Sequence, residues 1–391
     1  MSNAARATPG IGRVLYVTSS GDTFGGAENA LFDIVTNAAE WEPLVVVPFE
    51  GELSASLRKA GIHCEVIGLG VLRHKGELRS PVLILRLIGG LIAAARLAVL
   101  IRKRRARVVH SNTSAVFAGA LAARIARVPH VWHVREVSSG VAWSILGKMI
   151  PLLSDRVVCI SDTVARNMPS GKRHDRIVVV PDGVDPSIFT YERRRGGSGR
   201  VIMASRINPH KGQELFIRAA ARVVASVETA TFEIIGGFLP IYAALRDRLL
   251  ALAGELGLGT KLIFSPHMSR EEVAHRIAAA DVVAVPSTWI EPGGLVVLEA
   301  MAMGTSVVAT RAGGPAEVIE DGENGFLVSR EDPSELASAM TRLLLDQGLR
   351  ARLTENAHRR VEERYTLALH LARLGAVYRE VLGSPQRSRC A

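Results

Sequence analysis

Short, mostly apolar, strand-like runs alternate with longer helix-like stretches along most of this chain. The runs fall at residues 13–18, 43–47, 63–67, 107–110, 130–134, 156–160 and 177–180, and again at 201–204, 231–235, 261–264, 281–285, 307–310 and 326–328. Most of these runs are rich in Val, Ile and Leu and lack a polar residue at every second position, the pattern of strands buried on both faces. With helices between them they predict parallel sheets covered on both sides, an α/β doubly wound architecture. The alternation breaks at YERRRGGSGR (191–200), which is polar, basic and glycine-rich. That break divides the chain into a first Rossmann-like domain (1–190), a linker (191–200) and a second such domain (201–365). Beyond residue 332 the periodicity is helical only, and 366–391 is expected to be a C-terminal helix, packing back on the first domain, and a tail.

One segment departs from the amphipathic norm. PVLILRLIGGLIAAARLAVLI (81–101) is nearly long enough to cross a bilayer, and RKRR follows at 102–105. The internal Arg86 and Arg96 and the pair Gly89–Gly90 argue against spanning. The leading expectation is a helix buried on most sides; the alternative is an interfacial helix whose basic flank touches anionic lipid.

Composition changes this picture little. The chain has 391 residues, 48% of them hydrophobic, enough for two domain cores. Its formal net charge of +10 favours anionic partners such as a nucleotide or a phospholipid surface. Nucleic acid is disfavoured, because the basic residues are spread out and no aromatic residues interleave with them. Cys64, Cys159 and Cys390 form neither a disulfide framework nor a zinc pattern, which points to a reducing compartment. MSNAARATPGIGRVLYV lacks the apolar core of a signal peptide, so the cytoplasm is the expected location, with the inner membrane face as a peripheral site.

Candidate chemistry collects where strands turn into helices. In residues 286–326, PSTWIEPGGLVVLEAMAMGTSVVATRAGGPAEVIEDGENGF, two glycine loops each follow a strand and precede a helix, an arrangement that presents helix N-termini to an anion. Glu291 and Glu299 sit there with Glu-x7-Glu spacing, one before the helix and one on it. SRINPHKG (205–212) follows the first strand of the second half and supplies Arg206 and Lys211. A guanidinium grips a diphosphate in bidentate fashion, an ammonium adds a point charge, and together they would cancel charge growing on a departing nucleotide diphosphate. In the first half, Gly21, Gly25 and Gly26 lie at a strand-to-helix turn, but not in GxGxxG spacing, so a tight turn explains them as well as a phosphate site does. His133, Arg135 and Glu136 follow another strand; a functional edge and a solvated loop both fit them.

Taken together, ASRINPHKG, IIGG and DVVAVPSTWIEPGGLVVLEAMAMGTSVVATRAGGPAEVIEDGENGFLV resemble the nucleotide-sugar half of retaining family-4 glycosyltransferases (glycosyltransferase group 1) with the GT-B fold, two Rossmann-like domains facing each other across a cleft. GGAEN, CISD and PDGVDPSIF fit the same family in the first half. The resemblance implies a nucleotide-diphosphate sugar donor held by Arg206 and Lys211, with Glu299 on the ribose hydroxyls and Glu291 facing the transferred sugar. It implies backbone contacts at Gly293, Gly294 and Leu295, Gly236 and Gly237 on the nucleotide side, and Gly25 and Gly26 approaching from across the cleft. Where the family usually has an aromatic residue this chain has Gly293. The family's first-domain histidine aligns with Arg135, with His133 two residues earlier as its substitute. No Asp-x-Asp metal motif occupies a suitable loop, and metal-independent transfer without a cofactor is the expectation. The acceptor expected is a sugar, lipid-linked or part of a cell-envelope polysaccharide precursor; a non-catalytic nucleotide-sugar-binding protein of the same fold is the alternative.

Overall fold

A computed structural model of the chain describes residues 10–22, 25–71, 82–169, 175–192 and 197–383. It divides into two compact units, residues 1–182 with 367–391, and residues 183–366. The middle of the expected linker (193–196) and Cys390 lie outside the described residues.

The first unit opens with β1 (Gly12–Val17), α1 (Gly26–Thr36), β2 (Trp41–Val47), α2 (Glu52–Lys59), β3 (His63–Val66) and α3 (Val82–Arg104). It continues through β4 (Ala106–Ser111), α4 (Phe117–Ala126), β5 (His130–Val134), α5 (Val141–Leu153), β6 (Arg156–Cys159), α6 (Asp162–Asn167) and β7 (Ile177–Val179). The seven strands are ordered β3-β2-β1-β4-β5-β6-β7, every pair parallel. Val14 and Tyr16 of β1 enter the core shared with α1 and α2, while Leu15 and Val17 enter the one shared with α3 and α4. An unbroken apolar run is needed because both faces of the strand are covered.

The second unit repeats the plan with β8 (Arg200–Ala204), α7 (Gln213–Ser226), β9 (Thr231–Ile235), α8 (Ala243–Glu255), β10 (Leu262–Ser265), α9 (Arg270–Ala279) and β11 (Val282–Val285). It ends with α10 (Leu295–Ala302), β12 (Ser306–Thr310), α11 (Pro315–Val318), β13 (Phe326–Val328), α12 (Pro333–Leu345) and α13 (Gln347–Arg364). Its sheet is also parallel, ordered β10-β9-β8-β11-β12-β13. Each sheet reverses its strand order once, between β1 and β4 and between β8 and β11. In open α/β sheets the loops leaving the carboxyl ends of such strands border the ligand crevice.

The last helix, α14 (Leu367–Gly383), belongs to the first unit. Leu374, Val377, Tyr378 and Val381 enter the core under β1 and β2, and ion pairs Arg156–Glu380 and Arg379–Glu40 flank them.

Two expectations need correction. The chain passes between units at Asp182 and Gly183, not at 191–200. Polarity misled here: Val184 and Phe189 are buried in the core beneath α10, and Tyr191 stacks on His358 at 4.1 Å, so this stretch is anchored in the second unit. The second correction concerns α3. Ala93, Ala94, Leu97, Ala98 and Ile101 pack on the sheet, but Leu85, Ile88, Leu91, Ile92 and Val99 are exposed, so among the described residues α3 is buried along one face only.

Candidate functional site

Three loops of the second unit meet at the switch point of its sheet: 205–212 after β8, 286–294 after β11 and 311–314 after β12. The first two are stitched by Thr288, whose N–H donates to His210 O at 3.0 Å and whose Oγ1 donates to Pro209 O at 3.3 Å. Gly212 makes that approach possible. Its φ is +80°, and a Cβ there would stand 1.8 Å from Pro286 O. The second and third loops join at Glu291, whose N–H donates to Ala312 O at 3.1 Å and whose carbonyl accepts from Gly314 N–H at 2.8 Å. Glycine is required at such points because any side chain would push the loops apart.

The pinned Glu291 carries the centre of the site. Lys211 Nζ donates to both its carboxylate oxygens at 2.7 Å, and Ser287 Oγ donates to Oε2 at 2.8 Å. Both charged side chains are part-exposed. The ammonium is thus held by a carboxylate at the edge of solvent, where an arriving anion competes for it. Arg206, at the other end of the same loop, is exposed, and no described residue bonds its guanidinium. A fixed ammonium and an open guanidinium in one loop suit the oxygens of a diphosphate.

Glu299 lies on α10, buried, with Arg270 Nη2 3.6 Å from its Oε1. Gly294 is the N-cap of α10 and Leu295 its first residue, so the first N–H groups of the helix open beside Gly293. Gly236 and Gly237 follow β9; a Cβ at Gly236, φ +150°, would lie 2.1 Å from Ser205 O, which lets the β9 loop lie against the Arg206 loop. The chain therefore gathers Arg206, Lys211, Glu291, Glu299 and the glycines of the second half in one unit, with Lys211 and Glu291 in direct contact. Among the described residues no three His, Cys, Asp or Glu side chains are grouped as a metal site requires.

The first-unit candidates have different surroundings. Gly25 is the N-cap of α1 and Gly26 its first residue, beside the switch point of that sheet. His133 and Arg135 leave β5 inward and are both buried. Arg135 Nη2 donates to both carboxylate oxygens of Asp182 at 2.6 Å, and Nη1 lies 3.3 Å from His133 Nε2. His133 stacks on His370 of α14 at 6.1 Å and meets the edge of His110 at 5.2 Å. The chain of contacts runs on through Tyr378, whose hydroxyl lies 2.8 Å from His110 Nδ1 and 2.9 Å from the Tyr16 hydroxyl. Burial, then the neighbouring Arg135 charge, holds His133 well below the usual histidine value of 6.5, and burial does the same to His110. These rings are neutral at neutral pH. Burial also raises Glu136, which accepts from the N–H groups of Ser114 and Arg135, both at 3.2 Å. The thiols of Cys64 and Cys159 are pushed up by burial to about 11 and about 12.

Sequence reasoning missed Ser287, Asp182 and Arg270. Asp182 had a signal, since PDGVD places a carboxylate just past a strand end. Ser287 and Arg270 had none beyond their residue type. His110 is hydrogen-bonded in the core.

Two family models cover most of the chain: Glycosyltransferase Family 4 matches residues 24–188, and Glycosyl transferases group 1 matches residues 187–360. A D-inositol 3-phosphate glycosyltransferase of Acidothermus cellulolyticus is 40% identical over 52% of this chain and 48% of its own length. The corresponding enzyme of Mycobacterium tuberculosis is 34% identical over 60% of this chain and 51% of its own. The chain spans about half the length of the curated relatives it matches. Among solved structures, Anabaena HepE in complex with UDP and glucose is similar at TM-score 0.77 and 25% identity, covering 93% of this chain and 98% of that one. Sucrose-phosphate synthase of Thermosynechococcus elongatus shares the fold at TM-score 0.75 and 20% identity, covering 95% of this chain and all of that one.

Proposed function

This chain belongs to glycosyltransferase family 4 and has the GT-B fold, and from that premise we propose that it moves a sugar from a nucleotide-diphosphate sugar to an acceptor hydroxyl with retention of configuration. The bond from the anomeric carbon to the diphosphate breaks, and its electron pair leaves on the diphosphate oxygen. The acceptor oxygen bonds the same face of that carbon, and its proton passes to the leaving phosphate. Lys211 and Arg206 stabilise the growing negative charge without a metal ion. Glu291 faces the transferred sugar, and Glu299 accepts hydrogen bonds from the ribose hydroxyls. The acceptor is a sugar, lipid-linked or part of a cell-envelope polysaccharide precursor, met at the inner face of a membrane.

The observation that carries this reading is the Lys211–Glu291 contact at the switch point, with the open Arg206 guanidinium in the same loop. UDP-glucose is the first donor to try, because HepE was solved with UDP and glucose. The test is calorimetric titration with UDP-glucose and other nucleotide sugars, followed by UDP release with polyol-phosphate, oligosaccharide and lipid-linked acceptors. Saturable binding with acceptor-dependent release is expected. Binding without release across the panel would make the chain a binding protein, and neither would end the proposal.

A further inference from the structure

The helices α3, α4 and α5 cover one face of the first sheet; Leu97 and Ala98 of α3 share a core with Ala118 and Ala122 of α4, and Ala120 of α4 shares one with Ile150 of α5. Their outward side is unlike the rest of this unit. On α3, Leu85, Ile88, Leu91, Ile92 and Val99 are 50–70% exposed. Helical geometry sets 85, 88, 92 and 99 on one stripe, opposite the packed Ala93, Leu97 and Ile101. On α5, Ile145, Met149 and Leu152 make a second exposed stripe. Arg102 Nη2 donates to Ile125 O at 2.6 Å and Arg124 Nη2 to Leu152 O at 2.8 Å, so basic side chains bridge from helix to helix between the stripes.

Charge singles out this face as clearly as apolarity does. The three helices carry seven lysines and arginines, five on α3 and one each on α4 and α5, and no Asp or Glu. On the opposite face of the sheet the helices carry both signs: Glu28 and Asp33 on α1, Glu52, Arg58 and Lys59 on α2, and Arg373, Arg379 and Glu380 on α14. Exposed aliphatic stripes rimmed by cations of one sign, with no exposed aromatic side chain among them, suit an interface whose partner is both apolar and anionic. A bilayer surface rich in acidic lipid is that partner: aliphatic side chains enter the boundary between headgroups and acyl chains, and basic ones meet lipid phosphates. No helix of the described residues is long and apolar enough to cross a membrane. Arg86, which donates to Val71 O at 2.9 Å, lies on the packed side of α3 and leaves the outer stripe free to lie flat.

We propose that the α3–α4–α5 face docks the protein on an anionic lipid surface, with α3 lying in the interface plane. This deepens the reading of a lipid-linked or envelope acceptor given above, yet the docking requires no sugar transfer, and the two are tested apart. The full chain is floated with vesicles of phosphatidylcholine alone and with added phosphatidylglycerol, at low and high salt. Binding is expected only with phosphatidylglycerol, weakened by salt because the contacts are exposed. Ile88→Ser with Ile92→Ser should lower the partition coefficient about ten-fold or more, since two exposed apolar side chains lose their burial in lipid. Arg102→Gln with Lys103→Gln should lower it by a similar factor at low salt only. Both variants change exposed positions, so unaltered thermal midpoints show that they fold. Equal flotation of wild type and Ile88→Ser/Ile92→Ser, no flotation at low salt, or a concentration-dependent dimer that the serine variant abolishes would each overturn the proposal. Lys211→Ala is the control for the transfer reading: it should float like wild type whether or not turnover is lost.

Discussion

The six strands of the second sheet repeat the order of the first six strands of the first, and each sheet places polar residues at its carboxyl edge, but the edges are finished in opposite ways. In the second unit, glycines bring three loops together around Lys211 and Glu291 and leave those side chains part-exposed beside an open Arg206. In the first, the edge of β4 and β5 is closed: Arg135 is clamped by Asp182, and His110, His133 and His370 are packed with Tyr16 and Tyr378 under α14. The contrast teaches that a strand end rich in titratable residues is not by that alone a binding surface. Small residues and loop contacts keep the first kind of edge reachable by an anion. Aromatic rings and a returning helix turn the second kind into a buried polar core, where every group must find a partner or be held neutral.

This contrast is open to breaking by experiment, and the largest effect lies in the second unit. Arg206→Ala with Lys211→Ala should lower donor turnover on the order of 10⁴-fold, since each charge-stabilising donor is worth roughly a hundred-fold or more. The thermal midpoint should stay within about 3 °C, because a part-exposed ion pair contributes only about 1 kcal/mol or less. Equal turnover in variant and wild type would remove the assignment of these cations.

Next comes the first unit. Asp182→Ala leaves the Arg135 guanidinium buried without its carboxylate and should cost about 3–5 kcal/mol in urea unfolding. A cost near zero would mean that the Arg135–Asp182 pair is not buried as described. Acid should expose the same difference without mutation. His110, His133 and His370 are held below their usual 6.5 by burial, so the unfolded chain takes up protons that the folded one refuses. Their contribution is present above 6.5 and is lost as pH falls below it. Glu136, held above its usual 4.5, opposes them over the range just above that value, but one group stands against three. Urea unfolding at pH 7 and pH 5 should show lower stability at pH 5; equal values would contradict the buried neutral rings.

A weaker change is expected at Glu299, also in the second unit. On the ribose role proposed for Glu299, Glu299→Gln keeps an acceptor oxygen and gives up a charge-assisted hydrogen bond, and donor affinity measured by calorimetry should weaken about five-fold. An unchanged affinity would remove the ribose role from Glu299.

Much was legible in the chain before folding. Each strand-like run became a strand, because a strand covered on both faces draws mostly apolar residues, and no neighbour needs to be known to see that. Gly212, Gly294 and Gly314 could be read as loop residues from their place after strands. Other features lay beyond reach. Phe189 anchors in the second unit although the polar stretch it precedes looks like a linker. The outer stripe of α3 is exposed although its composition is that of a buried helix, because helical period tells which residues share a face and not what covers that face.

Local period and backbone freedom were enough to set the elements, the parallel character of the sheets and the residue types available at each loop. Which loops became neighbours depended on the folded whole. Lys211 and Glu291 are 80 residues apart and meet because β8 lies beside β11. His133 and His370 are separated by the whole of the second unit and stack because α14 returns to the first sheet. Strand order and helix return are settled by the burial of whole faces, a property of the assembled core that no single stretch of the chain contains.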